Sequence, residues 1–123
     1  MNAPRRVVLV VDDEPITRDV VAAMLELEDV EVHTAANGAE AVERARDLHP
    51  HLVLLDVRMP DMDGLEACRR LRALDDPPRV AMLTGTTDAA SREAAAAAGA
   101  EAYLAKPFSA RDVFRLVEGE TVP

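Results

Sequence analysis

The 123-residue chain has little of several residue types that mark common classes of protein. It has a single cysteine, so an internal disulfide is excluded, and Cys68 falls on the apolar side of a predicted helix as a core residue. No apolar run approaches the length of a membrane span or of a signal peptide. A formal net charge of −9 argues against a surface that binds nucleic acid directly. We therefore expect one domain, located in the cytoplasm.

Two apolar runs rich in β-branched residues end abruptly in aspartate. Residues 6–11 run into Asp12 and Asp13, and residues 51–55 run into Asp56. A strand that is apolar at every position must be covered on both faces, which predicts a parallel sheet with helices on each side. Such sheets hold their ligands outside the carboxyl ends of the strands. We therefore expect the three carboxylates to meet at one edge of the sheet.

A hydroxyl and an ammonium follow two further predicted strands. Residues 80–83 end in Thr84, and residues 102–105 end in Lys106 and Pro107. The 14 Lys and Arg residues include a single lysine, in a composition that otherwise uses arginine. A compact ammonium suits a tight site for one phosphoryl oxygen, whereas guanidinium is a bulky planar fork. A lysine at a strand end is more often simply solvated, but the nearby carboxylates favour a functional role.

Strand and helix patterns alternate five times along the chain. Pro15 suits the first turn of a helix after the first strand. Four apolar residues recur in that helix at helical spacing: Ile16, Val20, Met24 and Leu27. Residues 30–34 alternate between apolar and polar side chains, which predicts an edge strand with one solvated face. Right-handed crossovers then predict a doubly wound, flavodoxin-like α/β fold. Strands 1 and 3 must be neighbours if their aspartates are to meet, and the solvated second strand lies outside them, which gives the strand order 2-1-3-4-5.

Polar residues and glycine predict the ends of the other helices. Asn37, with Glu40 three residues on, resembles a capping box at the start of the second helix. Asp63 and Ser109 can cap the third and fifth helices. Gly99 is a natural terminator for the alanine-rich fourth helix, which should pack shallowly because it has few bulky side chains.

Clustered carboxylates repel one another unless a cation lies among them. An all-oxygen set with open positions suits Mg²⁺, or the similar Mn²⁺. In this arrangement Asp13 holds the metal directly, Asp12 holds it directly or through water, and Asp56 both ligates it and attacks phosphorus as a nucleophile. Lys106 and the Thr84 hydroxyl then bind the incoming phosphoryl oxygens. The structural alternative is helix N-capping, which Asp12 or Asp13 can also serve.

The pattern resembles the receiver domain of two-component response regulators. The resemblance covers essentially the whole chain, residues 1–123, as one domain. The matching residues are Asp12-Asp13, Asp56, Met59-Pro60, Asp63-Gly64, Thr84, Tyr103 and Lys106-Pro107-Phe108. It implies that a histidine kinase or histidine phosphotransfer protein phosphorylates Asp56 in a Mg²⁺-dependent reaction. It further implies that the backbone carbonyl of Arg58 completes the metal ligands and that the Lys106–Pro107 bond is cis.

The resemblance also implies a signalling switch in a phosphorelay rather than an enzyme that turns over a substrate. Such a domain assists its own phosphorylation and dephosphorylation. Thr84 and Tyr103 are the expected switch residues, and helix 4, strand 5 and helix 5 the expected output surface. The expected partner is a downstream protein or output domain, without direct contact to nucleic acid or membrane, and phosphorylation-dependent dimers are compatible with this reading. Met1 lies close to the first strand, which favours a stand-alone, chemotaxis-regulator-like receiver over a domain of a larger regulator or hybrid kinase.

Two other classes share part of this pattern. Haloacid dehalogenase-like phosphatases also use a nucleophilic aspartate with Thr, Lys and Mg²⁺, but they place a general acid two residues after the nucleophile. That position is Arg58 here, which cannot donate a proton. A flavin carrier shares the predicted fold, but the chain has 2% aromatic residues and no Trp to stack on a flavin. Steady turnover of a phosphate ester would support the first alternative, and a coloured protein the second.

Overall fold

The computed structural model describes residues 6–26, 30–59, 62–85, 89–106 and 109–118. Strands and helices alternate strictly along these residues. They are β1 (Arg6–Val11), α1 (Pro15–Glu26), β2 (Val30–Ala35), α2 (Gly38–Leu48), β3 (Leu52–Asp56), α3 (Gly64–Arg72), β4 (Arg79–Thr84), α4 (Ala89–Ala97), β5 (Ala102–Ala105) and α5 (Ala110–Val117). No helix within the described ranges has the length and apolar character needed to cross a membrane.

The five strands form one parallel sheet in the order β2-β1-β3-β4-β5, which confirms the predicted topology. In the central pair, Val11 of β1 lies opposite Leu55 of β3. Asp12 and Asp56, the next residue in each strand direction, therefore lie side by side where the neighbouring strands end. On the other side of β3, Asp56 lies opposite Leu83 of β4. The register thus places the strand-end residues Asp12, Asp56 and Thr84 along one edge of the sheet.

The central strands are covered on both faces, as their continuous apolar runs predict. Leu9 and Val11 of β1 pack into a cluster with residues of α2, α3 and the end of α4. Val8 and Val10 point to the opposite face and pack with residues of α1 and α5. Cys68 of α3 belongs to the first cluster, as predicted, and its thiol donates to a backbone carbonyl.

The buried face of α1 differs from the stripe that the apolar spacing suggests. Val21 and Leu25 are buried against the sheet, whereas Ile16 is 77% exposed and Val20 49% exposed. Met24 packs against the core, and Leu27 lies outside the described residues. Val20 and Val21 are adjacent, so two helical phases fit the sequence. Packing of α1 against the sheet and α5 selects the phase that buries Val21 and Leu25.

The capping box predicted at α2 is only partly formed. The Asn37 side chain accepts from the amide of Glu40, as expected, but the Glu40 carboxylate accepts from Ala36 rather than from Asn37. A reciprocal capping box is found at α5 instead, between Ser109 and Asp112. The start of both helices was therefore predictable, whereas the partner of the Glu40 carboxylate was not.

The alanine-rich helix α4 is anchored weakly. Ala95 is its one buried residue, which agrees with the shallow packing expected from its composition. Gly99 follows the helix with a φ of +102°, a left-handed conformation that glycine adopts without a side-chain clash.

Candidate functional site

Three carboxylates meet where β1 and β3 end. Asp12, Asp13 and Asp56 each offer an oxygen that lies within 4.8 Å of the other two. Asp12 is 1% exposed and Asp56 is 8% exposed, while Asp13 is open to solvent. The cluster therefore has two buried carboxylates at its base and one at its mouth.

Asp12 is held by its backbone and by one of its carboxylate oxygens. Its amide donates to the Ala35 carbonyl at 3.2 Å, and its own carbonyl accepts from Arg18 Nη1 at 2.8 Å. The Glu14 amide donates to Asp12 Oδ1 at 2.9 Å, which closes an Asx turn just before α1 and does not cap the helix. Asp12 Oδ2 is buried without a hydrogen-bond partner.

Lys106 lies between the two buried carboxylates. Its Nζ is 3.5 Å from Asp12 Oδ2 and 3.5 Å from Asp56 Oδ2. Its backbone amide donates to the Thr84 carbonyl at 2.6 Å, which fixes the end of β5 against the end of β4. The ammonium therefore faces the cluster instead of pointing into solvent, although its side chain remains 32% exposed.

Opposing influences act on the pKa of Asp56. Burial raises this pKa most, because a charged carboxylate loses solvation. The Arg58 amide, which donates to Asp56 Oδ1 at 3.1 Å, and the Lys106 ammonium lower it, while the negative charge of Asp12 raises it. The pKa is raised overall, because the penalty of burial and the negative charge of Asp12 outweigh the Arg58 amide and the Lys106 ammonium.

The start of α3 lies close to the backbone at the end of β3. The Val57 amide donates to the Leu83 carbonyl at 3.1 Å, and the Gly64 amide donates to the Val57 carbonyl at 2.8 Å. A Cβ atom at Gly64 would lie 2.7 Å from Val57 Cα and would overlap the Asp56 carbonyl. A glycine is therefore required here by close backbone approach. Asp63 begins α3, because its side chain accepts from the Glu66 amide at 2.9 Å.

An open cleft of about 560 Å³ lies beside the carboxylates. It is lined by Asp13, Val57, Arg58, Met59, Asp63 and Leu65. Arg58 is exposed, so its side chain is available to a molecule that enters the cleft. The cleft gives a phosphoryl donor access to the mouth of the cluster.

The remaining predicted site residues lie at the ends of β4 and β5. Thr84 is 4% exposed and follows Leu83, which is paired with Leu104. Tyr103 is half-buried within β5, and the Arg92 guanidinium of α4 lies 5.3 Å from the centroid of its ring. The cis bond expected between Lys106 and Pro107 lies outside the described residues.

Sequence reasoning missed two arginines that contact this region. Arg18 donates to the Asp12 carbonyl, and Arg92 lies over the Tyr103 ring. No spacing rule relates a long side chain to a carbonyl six residues earlier or to a ring on another element. The only sequence signal was an arginine in the first part of a helix that follows an acidic strand end.

The residues fit a hard divalent cation. Three carboxylates of the described chain converge, and one of their oxygens is buried without a hydrogen bond. Oxygen ligands in this number, with open positions toward solvent, suit Mg²⁺, which keeps several of its waters. A cation would satisfy Asp12 Oδ2 and offset the repulsion between Asp12 and Asp56.

Comparison with known proteins finds extensive similarity. The family model for the response regulator receiver domain matches residues 8–118. The probable transcriptional regulator ycf27 of Cyanophora paradoxa is 41% identical over 113 residues, which are 92% of this chain and 47% of that protein. The solved structure of the chemotaxis protein CheY4 of Vibrio cholerae has a TM-score of 0.90 and 30% identity, covering 94% of this chain and 98% of that one.

A second solved structure bears on the metal. The receiver domain of a sensor histidine kinase from Pseudomonas aeruginosa holds a magnesium ion in its active-site cleft. Its TM-score to this chain is 0.86 with 31% identity, over 94% of this chain and 97% of that one. In contrast, the chain spans about half the length of the curated relatives it matches, with 47%, 45% and 49% of three of them covered.

Proposed function

The chain belongs to the response regulator receiver domain family, and on that premise we propose that Asp56 is its phosphoryl acceptor. One observation carries this assignment. Asp56 is the buried carboxylate at the end of the central strand β3, and both the Lys106 ammonium and a second buried carboxylate lie beside it. Asp12 is more deeply buried, at 1% exposed against 8% for Asp56, and is therefore less accessible to a phosphoryl donor.

The proposed transfer exchanges one bond to phosphorus for another. A carboxylate oxygen of Asp56 bonds to the phosphorus of a phosphohistidine while the P–N bond breaks. The imidazole nitrogen keeps the electron pair and takes a proton from solvent. Asp56 becomes an acyl phosphate, which water later hydrolyses to the carboxylate and inorganic phosphate.

The other residues of the cluster have distinct roles in this proposal. Asp12, Asp13, Asp56 and the backbone carbonyl of Arg58 would hold Mg²⁺, or Mn²⁺, which supplies positive charge against the phosphoryl oxygens. The Lys106 ammonium and the Thr84 hydroxyl bind those oxygens and stabilise the charge that they carry.

We assign the chain a switch function rather than steady hydrolysis. It assists its own phosphorylation and dephosphorylation, because the residues that bind the phosphoryl group act in both directions. The residue two positions after Asp56 is an exposed arginine, which cannot serve as the general acid of a phosphatase. Turnover is therefore limited to loss of the acyl phosphate.

Phosphorylation is proposed to change the surface formed by α4, β5 and α5. Drawing the Thr84 hydroxyl toward the phosphoryl group frees space for the Tyr103 ring to turn. The half-buried position of Tyr103 and the weak anchoring of α4 support this route. Two arrangements of that surface would differ in affinity for a partner.

The proposed partners follow from this role. A histidine kinase or histidine phosphotransfer protein donates the phosphoryl group, and a downstream protein or output domain reads the switch. Dimerisation on phosphorylation is one form of this readout. The chain is proposed to act in the cytoplasm, without direct contact with a membrane. Because its net charge is −9, we propose that it acts through proteins and does not contact nucleic acid directly.

The test is intact mass after incubation with a small acyl phosphate. Wild-type protein with Mg²⁺ should gain one phosphoryl group, and a chelator should abolish the gain. Asp56→Asn should gain none, whereas Asp47→Asn, which changes an exposed aspartate of α2, should react as wild type. An adduct of undiminished yield in Asp56→Asn would refute the assignment. Continuous release of phosphate at a steady, rapid rate would favour a phosphatase instead.

A further inference from the structure

We propose that Arg18 is a positioning residue for the metal ligands, because its side chain holds the peptide group that joins Asp12 to Asp13. The inference rests on the proposed metal site and adds to it a residue that contacts neither the metal nor the phosphoryl group.

The geometry concerns a single peptide plane. Arg18 Nη1 donates to the Asp12 carbonyl oxygen at 2.8 Å. That oxygen belongs to the peptide group whose other side is the amide of Asp13. A hydrogen bond to the carbonyl therefore fixes the plane that orients the Cα atoms of both residues. Hydrogen bonds from charged donors are among the stronger ones in proteins.

The two aspartates depend on this plane to different degrees. Asp12 is also held through its own amide, which donates to Ala35, and through Oδ1, which accepts from Glu14. Within the described parts of the chain, no donor contacts the exposed Asp13 carboxylate. The place of Asp13 in the cluster is therefore set by its backbone, and Arg18 is the side chain that holds that backbone.

The helix directs Arg18 to this position. Its amide donates to the Glu14 carbonyl at 3.1 Å, so Arg18 lies in the first turns of α1. Side chains in helices point back toward the N-terminus of the helix. A long side chain at this place therefore reaches the β1–α1 corner, and half-burial of Arg18 restricts its alternatives.

Charge and positioning predict opposite effects of removing Arg18. If the guanidinium acted only as a nearby positive charge, its loss would strengthen Mg²⁺ binding, because one cation repels another. If Arg18 positions the Asp12–Asp13 peptide, its loss weakens Mg²⁺ binding. Residues that orient metal ligands typically change metal affinity by roughly 10–100-fold when they are replaced.

The experiment measures Mg²⁺ affinity by amide NMR titration of the unphosphorylated chain. Arg18→Met should bind Mg²⁺ about 10-fold more weakly than wild type, and Arg18→Lys, which retains a charged donor, should recover most of the loss. Arg46→Met removes an exposed arginine from α2 and should leave the affinity unchanged. Arg18→Ala, which also lacks a donor, repeats the test should Arg18→Met fail to fold.

Each further outcome has a defined meaning. Unchanged or tighter Mg²⁺ binding in Arg18→Met, or in Arg18→Ala, overturns the positioning role. Equal weakening in Arg18→Met and Arg18→Lys overturns it too, because packing of the side chain and not its donor would then matter. Asp13→Asn distinguishes a failure of the Arg18 proposal from a failure of the proposed metal site. Wild-type affinity in Asp13→Asn would refute the metal site itself, and the role of Arg18 with it.

Discussion

Asp56 is a buried carboxylate whose surroundings disfavour its charge. Its pKa is raised, first by burial, so the folded state binds a proton at Asp56 more tightly than the unfolded chain does. The contribution of Asp56 to the free energy of unfolding is therefore most favourable below the ordinary aspartate pKa of about 3.8. This contribution is lost as the pH rises through the raised pKa of the folded state. At neutral pH without metal, ionised Asp56 should destabilise the fold.

Asp56→Asn should accordingly raise the melting temperature of the metal-free protein at neutral pH. The gain should shrink as the pH falls toward the ordinary aspartate pKa, because the wild-type carboxyl is then protonated in both states. Thermal unfolding in chelator across this pH range measures the effect, with Asp47→Asn as the exposed control. A gain that does not depend on pH would contradict this account.

Lys106 is predicted to act through the shape of its ammonium as well as its charge. Nζ lies 3.5 Å from an oxygen of each buried carboxylate, a space in which a planar guanidinium fits poorly. Lys106→Arg should keep Mg²⁺ affinity close to wild type but impair the conformational response to phosphorylation. Amide NMR of the chain, titrated with Mg²⁺ and then loaded with a beryllium fluoride phosphoryl mimic, separates the two effects. A normal response in Lys106→Arg would mean that charge alone suffices.

At the scale of elements, Gly64 lets the start of α3 approach the end of β3 closely, next to Asp56. A Cβ at Gly64 would overlap the backbone just beneath the carboxylate, so Gly64→Ala must displace β3 or α3. We expect a loss of roughly 1–3 kcal/mol or more in the free energy of unfolding, together with weaker Mg²⁺ binding. Denaturant unfolding and Mg²⁺ titration measure both quantities.

Gly85 provides the matched control for this substitution. It is exposed, and a Cβ there would meet no atom within 4 Å. Gly85→Ala should therefore change the free energy of unfolding by no more than about 0.5 kcal/mol. Similar losses in the two variants would show that close backbone approach is not the reason for glycine at position 64.

Because α4 buries one residue, Ala95, we expect it to shift readily in response to a change at Thr84. In the wild type, a phosphoryl mimic at Asp56 should shift the amide NMR signals of α4, β5 and α5. Thr84→Ala removes the hydroxyl and should lose most of this shift while still binding the mimic. The free energy that couples the phosphoryl mimic at Asp56 to the arrangement of α4, β5 and α5 should be roughly 1–3 kcal/mol. An undiminished shift in the loaded variant would exclude Thr84 from the route.

At the scale of the whole molecule, the sequence predicted the fold well because its strongest signals are local. Continuous apolar strands that end in polar residues specify a covered parallel sheet. The order of the five strands followed from placing strands 1 and 3 side by side, so that their aspartates meet, with the solvated second strand outside them. The same reasoning brought Asp12, Asp13 and Asp56 together, since strand ends in a parallel sheet share one edge.

What the sequence could not predict depends on contacts between elements. The buried face of α1 was ambiguous because adjacent apolar pairs such as Val20-Val21 fit two helical phases, and only packing distinguishes them. Arg18 and Arg92 escaped notice because long side chains reach partners that no periodicity encodes. Such contacts appear only once the elements are assembled.

The account as a whole depends on which residue carries the phosphoryl group. Borohydride reduces an aspartyl phosphate to homoserine, so loading the protein with an acyl phosphate, reducing it and sequencing its peptides locates the modified carboxylate. The buried position of Asp56 beside Lys106 predicts homoserine at position 56 and unmodified aspartate at positions 12 and 13. Homoserine at position 12 or 13, or a phosphoryl group retained on a histidine, would contradict the account.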